Sequence, residues 1–290
     1  MTGANRFWDA MALPISVVVL TFNAEATIGA TLASARRISD DIHVVDSYST
    51  DRTLDIAREA GAKIVPHPFE NYGAQRNWAI DKLPLAHDWE LHLDADERVS
   101  DALADELHCL FAGGGPAPDV AGAYIPRLVH FHGRPLRHGG MYPIYHLRLF
   151  RRGRGRCESR KYDQHFFADG RTLRLDSPMI DDIRIPLGEW TQRHNRWADA
   201  EVDELLAPSD GVIQGGKAGD PVSEKRAQRS YYYRQPLFLR ALLLFLYRYV
   251  WKRGFLDGTE GLIFYVLQTF WFRFLIDAKL YERRKAMGGK

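Results

Sequence analysis

Leu91-His92-Leu93-Asp94-Ala95-Asp96-Glu97-Arg98-Val99-Ser100 is the stretch that decides how this chain reads. An apolar, aromatic-bearing lead-in runs into two carboxylates one residue apart, and Glu97 follows at once. A short buried strand that ends this way delivers both aspartates to the C-terminal edge of a sheet, where open α/β sheets bind their ligands. With no cation between them, Asp94 and Asp96 suit a hard divalent metal that also takes phosphate oxygens. The competing reading is an acidic turn opening the next helix, where carboxylates meet the positive end of the helix dipole.

Upstream, Ile15–Leu20 is β-branched, short and apolar on both faces, the mark of a buried parallel strand. The polar turn Thr21–Glu25 and a helix over 26–37 follow. A second strand, 42–45, ends at Asp46 and Ser47, and a helix over 53–60 is stopped by Gly61. A third strand spans 62–65, a helix 71–83, and the strand 89–93 then delivers the opening motif. Strands alternating with helices in short units predict a mostly parallel α/β sheet with helices on both faces. Thr21/Asn23/Glu25, Asp46/Ser47/Ser49 and Asp94/Asp96 then share one edge and one crevice. There Asp46 can accept from a base N–H and Arg76 can meet a phosphate. Neither a Gly-x-Gly-x-x-Gly turn nor a Walker-type loop is present, which argues against dinucleotide and ATPase sites.

Four ordered segments, Val17–Glu25, Val44–Asp51, Gly73-Ala74-Gln75-Arg76-Asn77 and Leu93–Glu97, resemble the motifs of family 2 inverting glycosyltransferases. The likeness is greatest to the branch with the lipopolysaccharide-core β-1,4-glucosyltransferases. His138–Pro143, Leu147–Gly153 and Gly254–Gly258 match that branch too, and the resemblance covers roughly residues 14–277. It implies the GT-A nucleotide-diphospho-sugar transferase fold, a Rossmann-like, mostly parallel sheet, with C-terminal amphipathic helices added. It implies that Thr21, Phe22, Asn23, Glu25, Asp46 and Ser47 hold the nucleoside. Asp94 would lie nearer the ribose or sugar and Asp96 on Mg²⁺ or Mn²⁺, the two forming the metal motif. The donor would be a nucleotide-diphosphate sugar, a UDP-sugar first, and the acceptor a lipopolysaccharide-core or lipid-linked glycan. Two rivals are direct transfer to polyprenyl phosphate and a non-catalytic sugar-nucleotide scaffold at the membrane.

An inverting transfer also needs a carboxylate base on the acceptor hydroxyl. The candidates are Glu158, Asp163, Asp181 and Asp182. Asp163 falls near the place where related core enzymes carry a His-Glu pair, and Asp182 is the second choice. His130, His132, His138 and His146 lack zinc spacing and are read as acceptor-side residues, with Arg134, Arg137 and Arg148 for a phosphate or acidic sugar.

These expectations divide the chain into a catalytic domain over 1–207, a linker over 208–230 and a basic aromatic helical region over 231–290. Within the first, residues 14–100 form the nucleotide half and 101–207 the acceptor half. Two cysteines without metal spacing predict a reducing compartment, and the N-terminus does not read as a signal peptide. Net charge is +2, yet 229–290 holds 12 Lys+Arg against 4 Asp+Glu. That asymmetry, with cations interleaved among aliphatic runs, predicts an anionic membrane surface rather than nucleic acid as partner. The apolar runs 236–251 and 261–272 are each too short to span a bilayer, so the expectation is a cytoplasmic protein bound peripherally to the inner face of the membrane. The same helices could instead cover the catalytic domain or make a dimer contact.

Overall fold

A computed structural model describes residues 12–158, 164–207 and 221–288. Two compact units divide them. The first takes 12–127, 145–158 and 164–182, and the second 128–144, 183–207 and 221–288. The boundaries differ from the expected catalytic, linker and tail regions because long strands carry the chain out of the first unit and back.

In the first unit, β1 (Ile15–Thr21), β2 (Asp41–Asp46) and β4 (Trp89–Asp94) are buried almost throughout, as their aliphatic runs require. β1 pairs in parallel with both, and β2 with β3 (Lys63–Pro66). The helices α1 (Ile28–Ala35), α2 (Thr53–Glu59) and α3 (Tyr72–Lys82) form the crossovers. Asn71 caps α3 by accepting from the Ala74 N–H at 2.9 Å. β5 (Glu97–Val99) follows the Asp94–Asp96 turn, and only then does α4 (Asp101–Ala112) begin, capped by Ser100. Asp94 therefore ends a strand and Asp96 lies in the turn to the next one, neither of them at a helix start.

Beyond β4 the sheet continues through β8 (Ile144–Arg151), antiparallel to β4, then β6 (Val120–Phe131) and β12 (Met179–Ile183), the last antiparallel to β5. The order is β3-β2-β1-β4-β8-β6-β12-β5, with β11 (Arg171–Arg174) parallel to β6. β9 (Gly155–Cys157) and β10 (Phe166–Ala168) make a separate hairpin.

In the second unit, the end of β6 pairs with β7 (Arg134–Pro135). β6 stops at Phe131 and His132 turns to φ +46°, so His130 and His132 do not share the strand face expected of them. α5 (Leu187–Leu206) packs Ala198 and Val202 against Phe272, Ile276 and Leu280 of α9 (Phe272–Gly288). α6 (Pro221–Tyr233) replaces the C-terminal part of the expected linker, and 208–220 lies outside the described residues. α7 (Leu239–Leu246) continues as a π-helical turn to Trp251, and α8 (Gly258–Tyr265) runs through another into α9. The helical run Gly254–Gly288 is long and apolar enough, by length and composition alone, to cross a membrane, although the apolar run 261–272 within it is too short to do so by itself. Of its apolar window, 39% is buried.

The His138–Pro143 and Gly254–Gly258 motifs meet in this unit. Buried Asp257 accepts from the Arg137 and His138 N–H groups, from His138 Nδ1 at 2.6 Å and from Tyr265 Oη at 2.9 Å. Gly139 (φ +61°) lies under the Tyr265 ring, where a Cβ would stand 2.3 Å from Oη. His138 thus anchors this turn through Nδ1, with its side chain 40% exposed.

Candidate functional site

Parallel register brings the expected strand ends to one edge: Thr21 lies opposite Asp46 and Leu20 opposite Asp94. Two loops at that edge are laced together. The Asn23 N–H donates to Ser49 Oγ at 2.9 Å, and the Thr50 N–H donates to Asn23 Oδ1 at 2.8 Å. The Glu25 N–H donates to Asp51 and the Arg52 N–H to Glu25 Oε2, each at 3.1 Å. The Ser47 N–H donates to the Thr21 carbonyl at 3.0 Å. Asp46 is 1% exposed, and its two oxygens accept from the Ser49 hydroxyl and N–H. Phe22 and Tyr48 are each 60% exposed, and Tyr48 holds the uncommon φ of +63°. Tyr48 carries no role in the sequence reading, although an aromatic residue between strand end and turn is the signal that could have marked it.

The Gly73–Asn77 motif explains itself residue by residue. A Cβ at Gly73 would lie 2.3 Å from the Glu158 carbonyl oxygen, so glycine lets α3 approach that backbone. Gln75 meets His67 Nδ1 at 2.7 Å. Asn77 clips Cys157 twice, donating to its carbonyl and accepting from its N–H. Arg76, 3% exposed, donates to the Leu93 carbonyl and to Asp94 Oδ1. These contacts give Arg76 a hold on Asp94 that the sequence reading did not assign to it.

Arg148 grips the other side of Asp94, donating to Oδ2 at 2.9 Å and to Glu97 Oε1 at 2.6 Å. Glu97 Oε2 accepts the Asp94 N–H at 2.9 Å. Burial would raise the Asp94 carboxyl, but Arg148 and Arg76 outweigh it and hold that carboxyl well below the usual range. Burial, offset in part by Arg148, pushes Glu97 up to about 7. Behind them, Glu90, His92 and Asp94 alternate along one face of β4. Arg76 can only donate, so His92 Nδ1 accepts from it at 3.5 Å, and Nε2–H donates to Glu90 at 3.1 Å. The ring is sandwiched near Phe150 and Phe166, and burial keeps it neutral.

Asp96 differs from Asp94. Among the described residues it has no cationic partner. Burial, Asp181, Asp94 and Glu97 together push its carboxyl well above the ordinary value. Asp181 stands opposite Glu97 in the β12–β5 ladder, on the same face. Its carboxyl is raised by burial, against the pull of Arg127 at 3.4 Å. Asp182, one residue on, faces the other way and pairs with Arg98 at 3.0 Å, while its N–H holds the Asp96 carbonyl. Asp181, rather than Asp182, thus shares the face of Glu97 in this ladder. Asp163 lies outside the described residues.

No three His, Cys, Asp or Glu side chains form a ready metal cage among the described residues. Mg²⁺ or Mn²⁺ does not need one, since it takes one or two carboxylates and completes its shell with water and substrate phosphates. The raised, cation-free Asp96 beside Asp181 fits such an ion, whereas Asp94, expected as a second ligand, has both oxygens on guanidinium groups.

Residues 16–156 match the profile of Glycosyl transferase family 2. A glycosyltransferase of Rickettsia bellii is 41% identical over 280 residues, covering 94% of this chain and 88% of that one. The chain belongs to glycosyltransferase family 2. Other rickettsial glycosyltransferases match locally, this chain spanning about a third of their length. The lipopolysaccharide core biosynthesis glycosyltransferase LpsC of Rhizobium meliloti is 25% identical over 281 residues, 93% of each chain. The mannosyltransferase PcManGT of Pyrobaculum calidifontis, solved with GDP-Man and Mn²⁺, shares the GT-A fold. It is 17% identical with a TM-score of 0.51, and the match covers 95% of this glycosyltransferase and 90% of that one.

Proposed function

We propose that this glycosyltransferase moves a sugar, with inversion, from a nucleotide-diphosphate donor to a glycan hydroxyl of a lipopolysaccharide core or lipid-linked acceptor. The observation that carries the reading is the asymmetry of the strand-end acids. Asp94 is neutralised by Arg76 and Arg148, while Asp96 and Asp181 face each other's charge. Asp96 would hold Mg²⁺ or Mn²⁺, which neutralises charge on a departing diphosphate. The likeness to LpsC supports the acceptor class, and a UDP-sugar is the first donor to try. Donor chemistry and a lipid-borne acceptor together put the reaction at the cytoplasmic face of the membrane.

In this reading Thr21–Glu25 and Ser47 line the nucleoside, and exposed Phe22 and Tyr48 offer faces on which a base can stack. Opening of the Ser49 contacts would free the Asp46 oxygens for a base N–H. The acceptor oxygen forms its bond to the anomeric carbon as the bond to diphosphate breaks, and its proton passes to a carboxylate. We assign this role to Asp181, which shares the face of Glu97 in the β12–β5 ladder and whose affinity for protons is raised by burial. Asp163 remains the candidate carried by sequence.

The test is turnover of a panel of nucleotide sugars with Mn²⁺ on truncated core glycans and on polyprenyl phosphate. Asp96→Asn should abolish metal-dependent transfer. Asp181→Asn and Asp163→Asn should separate, the true base losing about 10²–10⁴-fold in kcat with donor affinity kept. Nucleotide binding with no turnover on any acceptor would leave only a scaffold.

A further inference from the structure

α7 and its π-helical extension are built inside out. A helix on a water-soluble surface turns charge outward and apolar residues inward. Here Leu239, Leu242, Leu243, Leu246, Val250 and Trp251 recur at steps of three, one, three, four and one, and every one is exposed, Val250 by 55% and Trp251 by 79%. The opposite face carries the cations. Arg240 is 3% exposed and donates through Nε to Asp277 at 2.8 Å and through Nη1 to the Tyr233 carbonyl. Arg248 reaches Met141 Sδ at 2.8 Å. The apolar face continues into exposed Phe255 and Leu256, and exposed Lys252 and Arg253 lie between them and Trp251.

We infer that this face docks on an anionic lipid bilayer, with the leucines and Trp251 entering the headgroup–acyl boundary and Lys252 and Arg253 meeting lipid phosphates. Charge selects this occupant. From Leu237 to Leu256 the sequence holds four basic residues and no acidic one, and the two exposed cations border the apolar patch. A two-fold contact between copies would bring those like charges together, whereas an anionic surface attracts them at about fivefold in affinity per cation. The mixture of leucine, an exposed tryptophan and flanking cations is that of an interfacial helix. Insertion of Gly254–Gly288 across the membrane would instead pull apart the buried Arg240–Asp277 pair and the contact of Arg273 with Glu201. The inference stands on the second unit alone and is independent of which sugar is transferred.

The experiment is co-sedimentation of the full chain with vesicles of phosphatidylcholine alone or mixed with phosphatidylglycerol, without donor or acceptor. Binding is expected to the mixed vesicles and to be released by alkaline carbonate. Leu246→Gln/Trp251→Gln should weaken it by about tenfold or more per residue, from the lost apolar burial. Lys252→Gln/Arg253→Gln should abolish the preference for anionic vesicles while keeping the melting temperature. All four positions are exposed, so circular dichroism of each variant checks that the fold persists. The inference fails if the wild type ignores both vesicle types or if Leu246→Gln/Trp251→Gln binds like the wild type. It fails equally if carbonate leaves the protein in the bilayer, or if light scattering shows a dimer that this double variant dissociates.

Discussion

Replacing Arg76 by methionine separates two uses of that guanidinium. If Arg76 holds Asp94, as the contacts with Asp94 Oδ1 and the Leu93 carbonyl indicate, Arg76→Met leaves a carboxylate short of one cation and a carbonyl short of one donor. Removing one partner of a buried pair costs about 3–5 kcal/mol. Asp94 keeps Arg148, and its side chain is 36% exposed, so solvent screening lowers the figure to about 3 kcal/mol. For a chain of this size that is a fall of roughly 6–12 °C in melting temperature. The pH dependence has a definite sign. The folded-state pKa of Asp94 is depressed, so its stabilisation is present above the unfolded value near 4 and is lost as pH falls through the folded value. Differential scanning fluorimetry should therefore show the full gap at pH 7 and a narrowing gap below about pH 4. If Arg76→Met melts within a degree of the wild type at pH 7 while nucleotide affinity collapses, the guanidinium serves the donor phosphate and the clamp reading is wrong.

Three further substitutions follow from the same unit. Burial raises Glu90 from 4.5 to about 7, so the folded state binds the extra proton and stability declines as pH rises from about 4.5 through 7. Glu90→Gln should remove that decline, giving unfolding free energies from urea titration that lie close to the wild type near pH 5 and exceed it by about 3 kcal/mol at pH 8.5; parallel curves would contradict this. Asp96→Asn removes one of several crowded carboxylates, so the metal-free protein should gain about 1 kcal/mol in thermal stability while losing transfer, and a loss of stability would mean that the crowding is already relieved. Gly73→Ala places a Cβ 2.3 Å from the Glu158 carbonyl oxygen and should destabilise by about 1–3 kcal/mol in equilibrium unfolding, whereas an unchanged midpoint would show that α3 and this backbone can separate.

What the sequence disclosed about the site divides by range. Aliphatic runs and the stop at Gly61 are local signals, and β1, β2, β3 and β4 fall within a residue or two of where those signals put them. The common edge of Thr21, Asp46 and Asp94 follows from that alternation alone. The electrostatics of the edge do not. Arg148 reaches Asp94 and Glu97 from more than fifty residues away, across an antiparallel extension that no parallel α/β pattern announces. The choice between Asp181 and Asp182 turns on one pairing, Asp181 against Glu97, and a one-residue slip would exchange their faces.

Helix α7 shows the same boundary from the other side. Its periodicity separates a cationic arc from an apolar one, but periodicity cannot say which arc meets the protein. That was settled by Asp277, which lies 37 residues beyond Arg240 and binds it in the interior, forcing the leucines outward. A buried pair of this kind is a poor source of stability, because both ions lose their water. Its effect is directional: breaking it by Asp277→Ala would leave Arg240 buried without its carboxylate, whereas Arg240→Met with Asp277→Leu would remove both charges and relax the constraint on helix rotation. If the ion pair is what turns the apolar face to solvent, the double variant should fold, bury part of that face, and bind anionic vesicles more weakly than the wild type even though every exposed leucine and Trp251 is still present. Unchanged vesicle binding in the double variant would show that packing of Ala241 and its neighbours, not the ion pair, fixes the rotation.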